Sequence, residues 1–234
     1  MSSLNFIGGE KGGVGKSVVA RVLAQYFIDN QRPFTGFDTD RSHPSFTRFY
    51  ADFASPVVVD RYEGLDTVVE AFDTEADDAP APSVIVDLAA QTALPLSRWV
   101  QDSDLIALMG ELGHAVNFWH VADGGVDSVA LLERLVDTYG DAPNYIVVKN
   151  YGRGSDFDYL DASEAMRRAQ AAGARVVSLP ALHEASMQKV DRQNASFWAA
   201  GNNRSGEHAL GLLERQRVKA WLRSVYAGFD GLPL

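Results

Sequence analysis

The 234-residue chain contains no cysteine. This excludes a disulfide framework and any thiolate metal site, and it fits a reducing compartment. No stretch approaches 18 uninterrupted apolar residues, so no helical membrane span is expected. The opening residues, MSSLNFIGGEKGG, lack the basic start and apolar core of a signal peptide. These absences lead to the expectation of a cytoplasmic protein. Positive charge is also scarce: 21 Lys and Arg stand against 31 Asp and Glu, a net charge of −10. That balance argues against a protein coated for nucleic acid. The deficit is uneven, however. Residues 1–150 carry 10 basic against 22 acidic side chains, and residues 151–234 carry 11 against 9. A basic face, if there is one, belongs to the C-terminal third.

There is no internal repeat and no long low-complexity tract, and the length fits one domain spanning 1–234. Short runs rich in Val and Ile, bounded by Gly, Pro or Asp, predict strands at 4–8, 33–38, 56–60, 83–87, 105–109, 144–150 and 175–179. Between them lie amphipathic segments. Val18, Val19, Val22, Leu23, Tyr26 and Phe27 form one apolar stripe and predict a helix over 16–29. Val129, Leu132, Val136 and Tyr139 do the same over 126–139. This alternation predicts an α/β fold: a doubly wound, mostly parallel sheet with helices on both faces. The acidic, proline-bearing stretch 73–82 reads as a solvated loop.

GEKGGVGKS, residues 9–17, follows the first expected strand and opens the first expected helix. That is the setting of a phosphate-binding loop, in which glycines turn backbone N–H groups inward and the helix N-terminus favours an anion. Lys16 would reach the β- and γ-phosphates of a nucleotide, and Ser17 would offer a hydroxyl to Mg²⁺. The strict pattern G-x-x-x-x-G-K-[ST] fails at Glu10. A ligand-free strand–helix turn would use the same residue types, but the flanking elements match as well. The carboxylates agree with the loop. Asp38 and Asp40 close the second predicted strand, and Asp87 closes SVIVD in the manner of a Walker B carboxylate. Each alone would read as a capping residue; together they point to a metal site made of Ser17, Asp38 and Asp87.

Lys11 to Ser17, KGGVGKS, resembles the deviant Walker A motif K-G-G-x-G-K-[ST] of the ParA/MinD family of ATPases, which does not require glycine at position 10. The resemblance implies ATP and Mg²⁺ as cofactors, held by Gly12, Gly13, Val14, Gly15, Lys16 and Ser17. It implies an ATP-dependent homodimer in which Lys11 contacts the nucleotide of a partner subunit. It also implies that Asp40 orients the attacking water, that Asp38 supports the Mg²⁺ and water network, and that an activating protein partner exists. Asn150 matches the position where the family reads the adenine edge, and Pro180 lies near the adenine face in relatives. A closer likeness, carried by VDLAAQTALPLSRW, ELGH, VADGG and LPAL, is to the TraL group of plasmid conjugative-transfer proteins.

Other features carry less. His114 and His120 are six apart, not four, and read as packing or loop residues. HEAS after Leu182 begins like a zinc motif and stops. In the last segment, Val218, Trp221, Leu222, Val225 and Phe229 form a helical stripe among Arg215, Arg217, Lys219 and Arg223. Three readings stand: a terminal helix docked on the sheet, a nonspecific DNA face, or a membrane-surface helix. The expectation is therefore a slow, dimerising Mg²⁺-ATP switch serving positioning, partition or conjugative transfer. A nucleotide-binding module without turnover and a kinase-like small-molecule enzyme are the alternatives.

Overall fold

The computed structural model describes residues 2–73, 80–206 and 209–234. The segment read as a solvated loop, 73–82, falls mostly outside them. The first half of the chain runs β1 (Ser3–Gly8), α1 (Lys16–Asp29), β2 (Phe34–Asp38), α2 (Ser45–Phe49), β3 (Ala54–Pro56), α3 (Tyr62–Glu70), β4 (Ser83–Asp87), α4 (Ala93–Asp102), α5 (Leu105–Glu111) and β5 (Ala115–Ala122). The second half runs α6 (Val126–Tyr139), β6 (Asn144–Asn150), α7 (Asp158–Asp161), α8 (Glu164–Ala171), β7 (Arg175–Leu179), α9 (Glu184–Arg192), α10 (Phe197–Asn202) and α11 (Leu212–Tyr226). The seven strands form one sheet in the order β3-β2-β4-β1-β5-β6-β7, and every pairing is parallel. This is the doubly wound α/β fold.

Strand residues alternate between two cores, as a two-residue period requires. Ile7, Ile85, Trp119, Val148 and Val177 face α1, α2 and α9 to α11. Phe6, Val84, Val86, Phe118 and Val147 face α3 to α8. The stripe of α11 is spent in the first core: Val218, Trp221, Leu222, Val225 and the following Phe229 are all buried. Docking on the sheet is thus the observed fate of this helix, and its apolar face is not available to a membrane.

Two strand expectations are corrected, and one strand was not expected. Residues 105–109 are not a strand but most of α5, with Leu105 and Met109 buried one turn apart while Leu108 is exposed. A short apolar run fits either period, and here the helical spacing governs burial. The strand in this part of the chain is β5, AVNFWHVA, buried at every position between β1 and β6. Its polar residues find partners inside: Asn117 donates to Asn5 Oδ1 at 2.9 Å. The strand expected at 56–60 lies earlier, at β3, pairing with β2 through Pro56.

Candidate functional site

The loop between β1 and α1 opens at the carboxyl edge of the sheet. Gly9, Gly13 and Gly15 all have positive φ, at 123°, 79° and 100°. Gly15 is also sterically required: a Cβ there would lie 2.2 Å from Asn150 Nδ2. Lys16, the first residue of α1, is nearly buried and folds back across the loop, its Nζ donating to Lys11 O at 2.9 Å. Burial pulls its pKa down, and Asp87, Asp40 and Glu10 pull the other way.

Asp87 and Asp38 end adjacent strands in direct register, so two carboxylates meet at the sheet edge. Both are almost inaccessible. Burial first, and then the Asp38 and Asp40 charges, push Asp87 up to about 7 against the opposing pull of a hydrogen bond from Ser17 and the charge of Lys16. A cation there would relieve this crowding of negative charge. The donors at hand, a serine hydroxyl and a carboxylate, are hard oxygens that suit Mg²⁺. Among the described residues no group of three Asp, Glu, His or Cys side chains could hold a metal. That also fits Mg²⁺, which usually takes one or two carboxylates and completes its shell with phosphates and water.

Asp38, expected to support a metal and water network, lies beside Asp87 with both carboxylate oxygens accepting backbone N–H groups. Its Oδ1 accepts the Asp40 N–H at 3.0 Å and its Oδ2 the Thr47 N–H at 3.0 Å. It shapes the segment that carries Asp40. Asp40 itself is half-buried, and its Oδ1 accepts the N–H groups of Ser42 and His43 at 3.0 and 2.8 Å.

A cavity of about 370 Å³ brings Gly12, Gly13, Gly15, Lys16, Ser17, Asp40 and Asp87 together. Val14, within the loop, is buried. Neither Lys11, Asp38, Asn150 nor Pro180 lines this cavity. Asn150 is buried and braces the loop: its Nδ2 donates to Val14 O at 2.7 Å and its Oδ1 accepts the Gly152 N–H at 3.0 Å. The Pro180 carbonyl accepts the Trp221 indole N–H at 2.6 Å, tying α11 to the end of β7. Lys11 is turned to the other side of the loop, with its Nζ 2.8 Å from Asp123 Oδ2 and 3.6 Å from Asp127 Oδ2.

Sequence reasoning missed three cations that line the cavity: Arg21, Arg48 and Arg153. Arg21 was legible as a lone charge inside the apolar stripe of α1. It is buried, with its guanidinium 3.5 Å from the Phe49 ring centre and its Nη1 3.1 Å from Asp191 Oδ1. Sequence reasoning also missed Asp123 as the partner of Lys11. His120 is a packing residue: it sits inside β5 with its Nε2 donating to Ser128 O at 2.8 Å, and burial pulls its pKa down to about 4. A larger, mainly apolar cavity of about 430 Å³ lies on the opposite face, between α4 and α6, lined by Leu88, Leu96, Phe118 and Tyr139.

No family model matches the chain. Protein TraL of Escherichia coli is 25% identical over 246 residues, covering 98% of each chain. Among solved structures, apo McdA of Cyanthece matches with a TM-score of 0.54 at 13% identity, covering 98% of this chain and 100% of that one. A plasmid partition protein of Borrelia burgdorferi bound to AMPPNP matches with a TM-score of 0.51 at 12% identity, covering 95% and 99%. The chain thus shares the doubly wound α/β fold of these solved structures and is similar to the TraL proteins over almost its whole length.

Proposed function

We propose that this chain is a single-domain, Mg²⁺-dependent ATPase that dimerises on ATP and uses slow hydrolysis to release a bound protein partner. The observation that carries this reading is the convergence of Lys16, Ser17 and Asp87 in one cavity under a loop of three left-handed glycines. Backbone N–H groups of the loop and the ammonium of Lys16 would hold the β- and γ-phosphates. Ser17 and Asp87 would hold the cation. A bound Mg²⁺ would supply charge neutralisation to the phosphates during attack by water. Asp40, at the rim of the same cavity, is assigned to orient that water. Lys11 is assigned to the nucleotide of a second subunit, where a charge donated in trans completes the site.

Asn150 and Pro180 are assigned to shaping the loop and its surroundings, because their polar atoms are engaged by Val14, Gly152 and Trp221. The TraL likeness directs the role toward conjugative transfer, with a cytoplasmic protein partner. The exposed cations of α11 offer a face for nonspecific DNA. The competing reading is a nucleotide-binding module without turnover, favoured by the engagement of Asp40 with its own loop amides.

The test uses the purified chain with ATP, with and without Mg²⁺. Mg²⁺-dependent binding, an ATP-dependent dimer in sedimentation and slow phosphate release support the switch. Binding and dimerisation with no phosphate release would leave the non-hydrolysing module, and no binding at all would sink both.

A further inference from the structure

We propose that Asp123 holds Lys11 within its own chain, and that this ion pair must open before the lysine can serve a second subunit. The inference rests on the reading of Lys11 as a lysine donated across a dimer, and it gives the VADGG segment a role.

The geometry divides the two carboxylate oxygens of Asp123 between distinct tasks. Oδ1 is fixed by its own turn, accepting the Gly125 N–H at 3.1 Å and the Ser128 hydroxyl at 2.8 Å. Oδ2 faces Lys11 Nζ at 2.8 Å. Ser128 is in turn fixed, since it is buried and its carbonyl accepts the His120 ring N–H. The turn has no room to relax. Gly124 has φ of 84°, and a Cβ on it would lie 2.1 Å from Asp156 O. A Cβ on Gly154 would lie 1.9 Å from the Asp123 carbonyl oxygen. The carboxylate is therefore aimed before the lysine arrives. Burial alone pushes Asp123 up, but the hydrogen bonds from Lys11, Ser128 and Gly125 prevail and bring it to about 2, so it stays ionised throughout the physiological range. Asp127 adds a second, exposed carboxylate at 3.6 Å.

An ammonium bound this way cannot also meet a phosphate in another subunit. Carboxylate and phosphate compete for the same three N–H donors. The apparent dimerisation constant is lowered by the fraction of chains in which Lys11 is free, and the factor enters once per subunit. The ion pair thereby sets the threshold at which ATP-loaded chains assemble.

Asp123→Asn separates the two tasks, because the amide oxygen can keep the bonds of Oδ1 while an NH₂ group replaces Oδ2 against the lysine. The first measurement is the acylation rate of Lys11 in the nucleotide-free chain, read by peptide mass spectrometry against exposed Lys219 as reference. The expected result is a several-fold rise in the variant. The second is sedimentation with a non-hydrolysable ATP analogue, where the variant should dimerise roughly three- to tenfold more tightly. Ser128→Ala, which loosens the carboxylate without removing its charge, should move both readouts the same way by less, and it decides the matter if the asparagine variant does not fold. Unchanged Lys11 reactivity overturns the ion pair as a constraint, whatever the nucleotide does. Raised reactivity with an equal or weaker dimer overturns its role in assembly. A wild-type chain that binds no ATP or stays monomeric overturns the proposed function and that role together, while the acylation result still decides the ion pair on its own.

Discussion

Two lysines stand at opposite ends of one loop, and the fold treats them differently. Lys16 is nearly buried, donates to a backbone carbonyl, and has its pKa lowered by desolvation. Lys11 is more accessible, pairs with two aspartates, and has its pKa raised, chiefly by the hydrogen bond to Asp123. A desolvated cation with no ion pair among the described residues is prepared for an anionic ligand in the adjoining cavity. A cation already matched to a carboxylate has to give up that partner before it can serve another anion. The two positions carry the same side chain, so their difference comes from neighbours: the sheet edge for Lys16, and the turn between β5 and α6 for Lys11.

The largest expected effect breaks this comparison directly. Lys11→Ala should lower turnover by roughly 10³-fold, the lower range for a charge supplied in trans. It should leave nucleotide binding by the monomer in place. Lys16→Ala should instead weaken monomer binding by roughly 10- to 100-fold, the loss of a hydrogen bond to a charged group. Mixing Lys11→Ala with Asp40→Ala sharpens the contrast. In the mixed dimer, the site with an intact Asp40 receives its lysine from the Asp40 variant, so one site is rebuilt. Phosphate release would be followed against mixing ratio. If mixed dimers are seen by mass and no activity returns, Lys11 does not act across the dimer.

The second effect belongs to the Lys16 end. Asp87 titrates near 7 in the fold and at 3.8 when unperturbed. The native state therefore binds more protons than the unfolded state between those values, and stability falls as pH rises from about 4 to about 7. In metal-free, nucleotide-free protein, Asp87→Asn should melt several degrees higher than wild type at pH 8, and the two should coincide at pH 4. With Mg²⁺-ATP the order reverses, because the variant loses roughly 10- to 100-fold in Mg²⁺-dependent affinity. Parallel melting curves at all pH values would remove Asp87 from the site.

Parts of this arrangement were legible in the sequence. α1 and α6 lie at 16–29 and 126–139 as expected, because each carries one unbroken apolar stripe between clear breakers. β4, β6 and β7 likewise match, being short Val- and Ile-rich runs; β4 and β6 are buried as parallel strands are, and β7, at the sheet edge, buries only Val177 and Leu179. β5 was hidden because Asn117, Trp119 and His120 look polar or functional in isolation. Inside the sheet they are satisfied by Asn5 and Ser128, partners that no local pattern reveals. The pairing of Lys11 with Asp123 was hidden for the same reason. Only the sheet order, which lays β5 beside β1, brings the two loops together. Asn150 shows the converse. Its position was found, but its task depends on Gly15 lying within reach.

That task gives the third effect. Asn150→Ala would leave the Val14 carbonyl without its side-chain donor, a cost of about 1–3 kcal/mol for a buried polar group. Because Val14 precedes Gly15 and Lys16, the loop should loosen and nucleotide affinity should fall by the same factor for ATP, GTP and ITP. Competition binding with the three nucleotides reads this out. A selective loss for ATP would show instead that the amide reads the adenine edge.

The smallest effect concerns cations that the fold leaves in solvent. Arg217, Lys219 and Arg223 lie on the exposed side of α11, while Arg215 donates to Leu210 O. Unlike Lys16 they line neither of the two cavities described above, and unlike Lys11 they form no ion pair with Asp123. Their use would be delocalised, as in phosphate contacts that release counterions. The chain carries a net −10, so long-range attraction to DNA is opposed and binding should be weak. Replacing all four by Ala should lower affinity for duplex DNA of arbitrary sequence by several-fold at low salt. It should also flatten the dependence of log K on log salt by up to roughly 3–4, about 0.9 for each lost phosphate contact. The measurement is fluorescence anisotropy with ATP across a salt series. An unchanged slope would exclude this face from DNA binding, and binding confined to an ATP-bound dimer would link it to the assembly in which Lys11 is proposed to act.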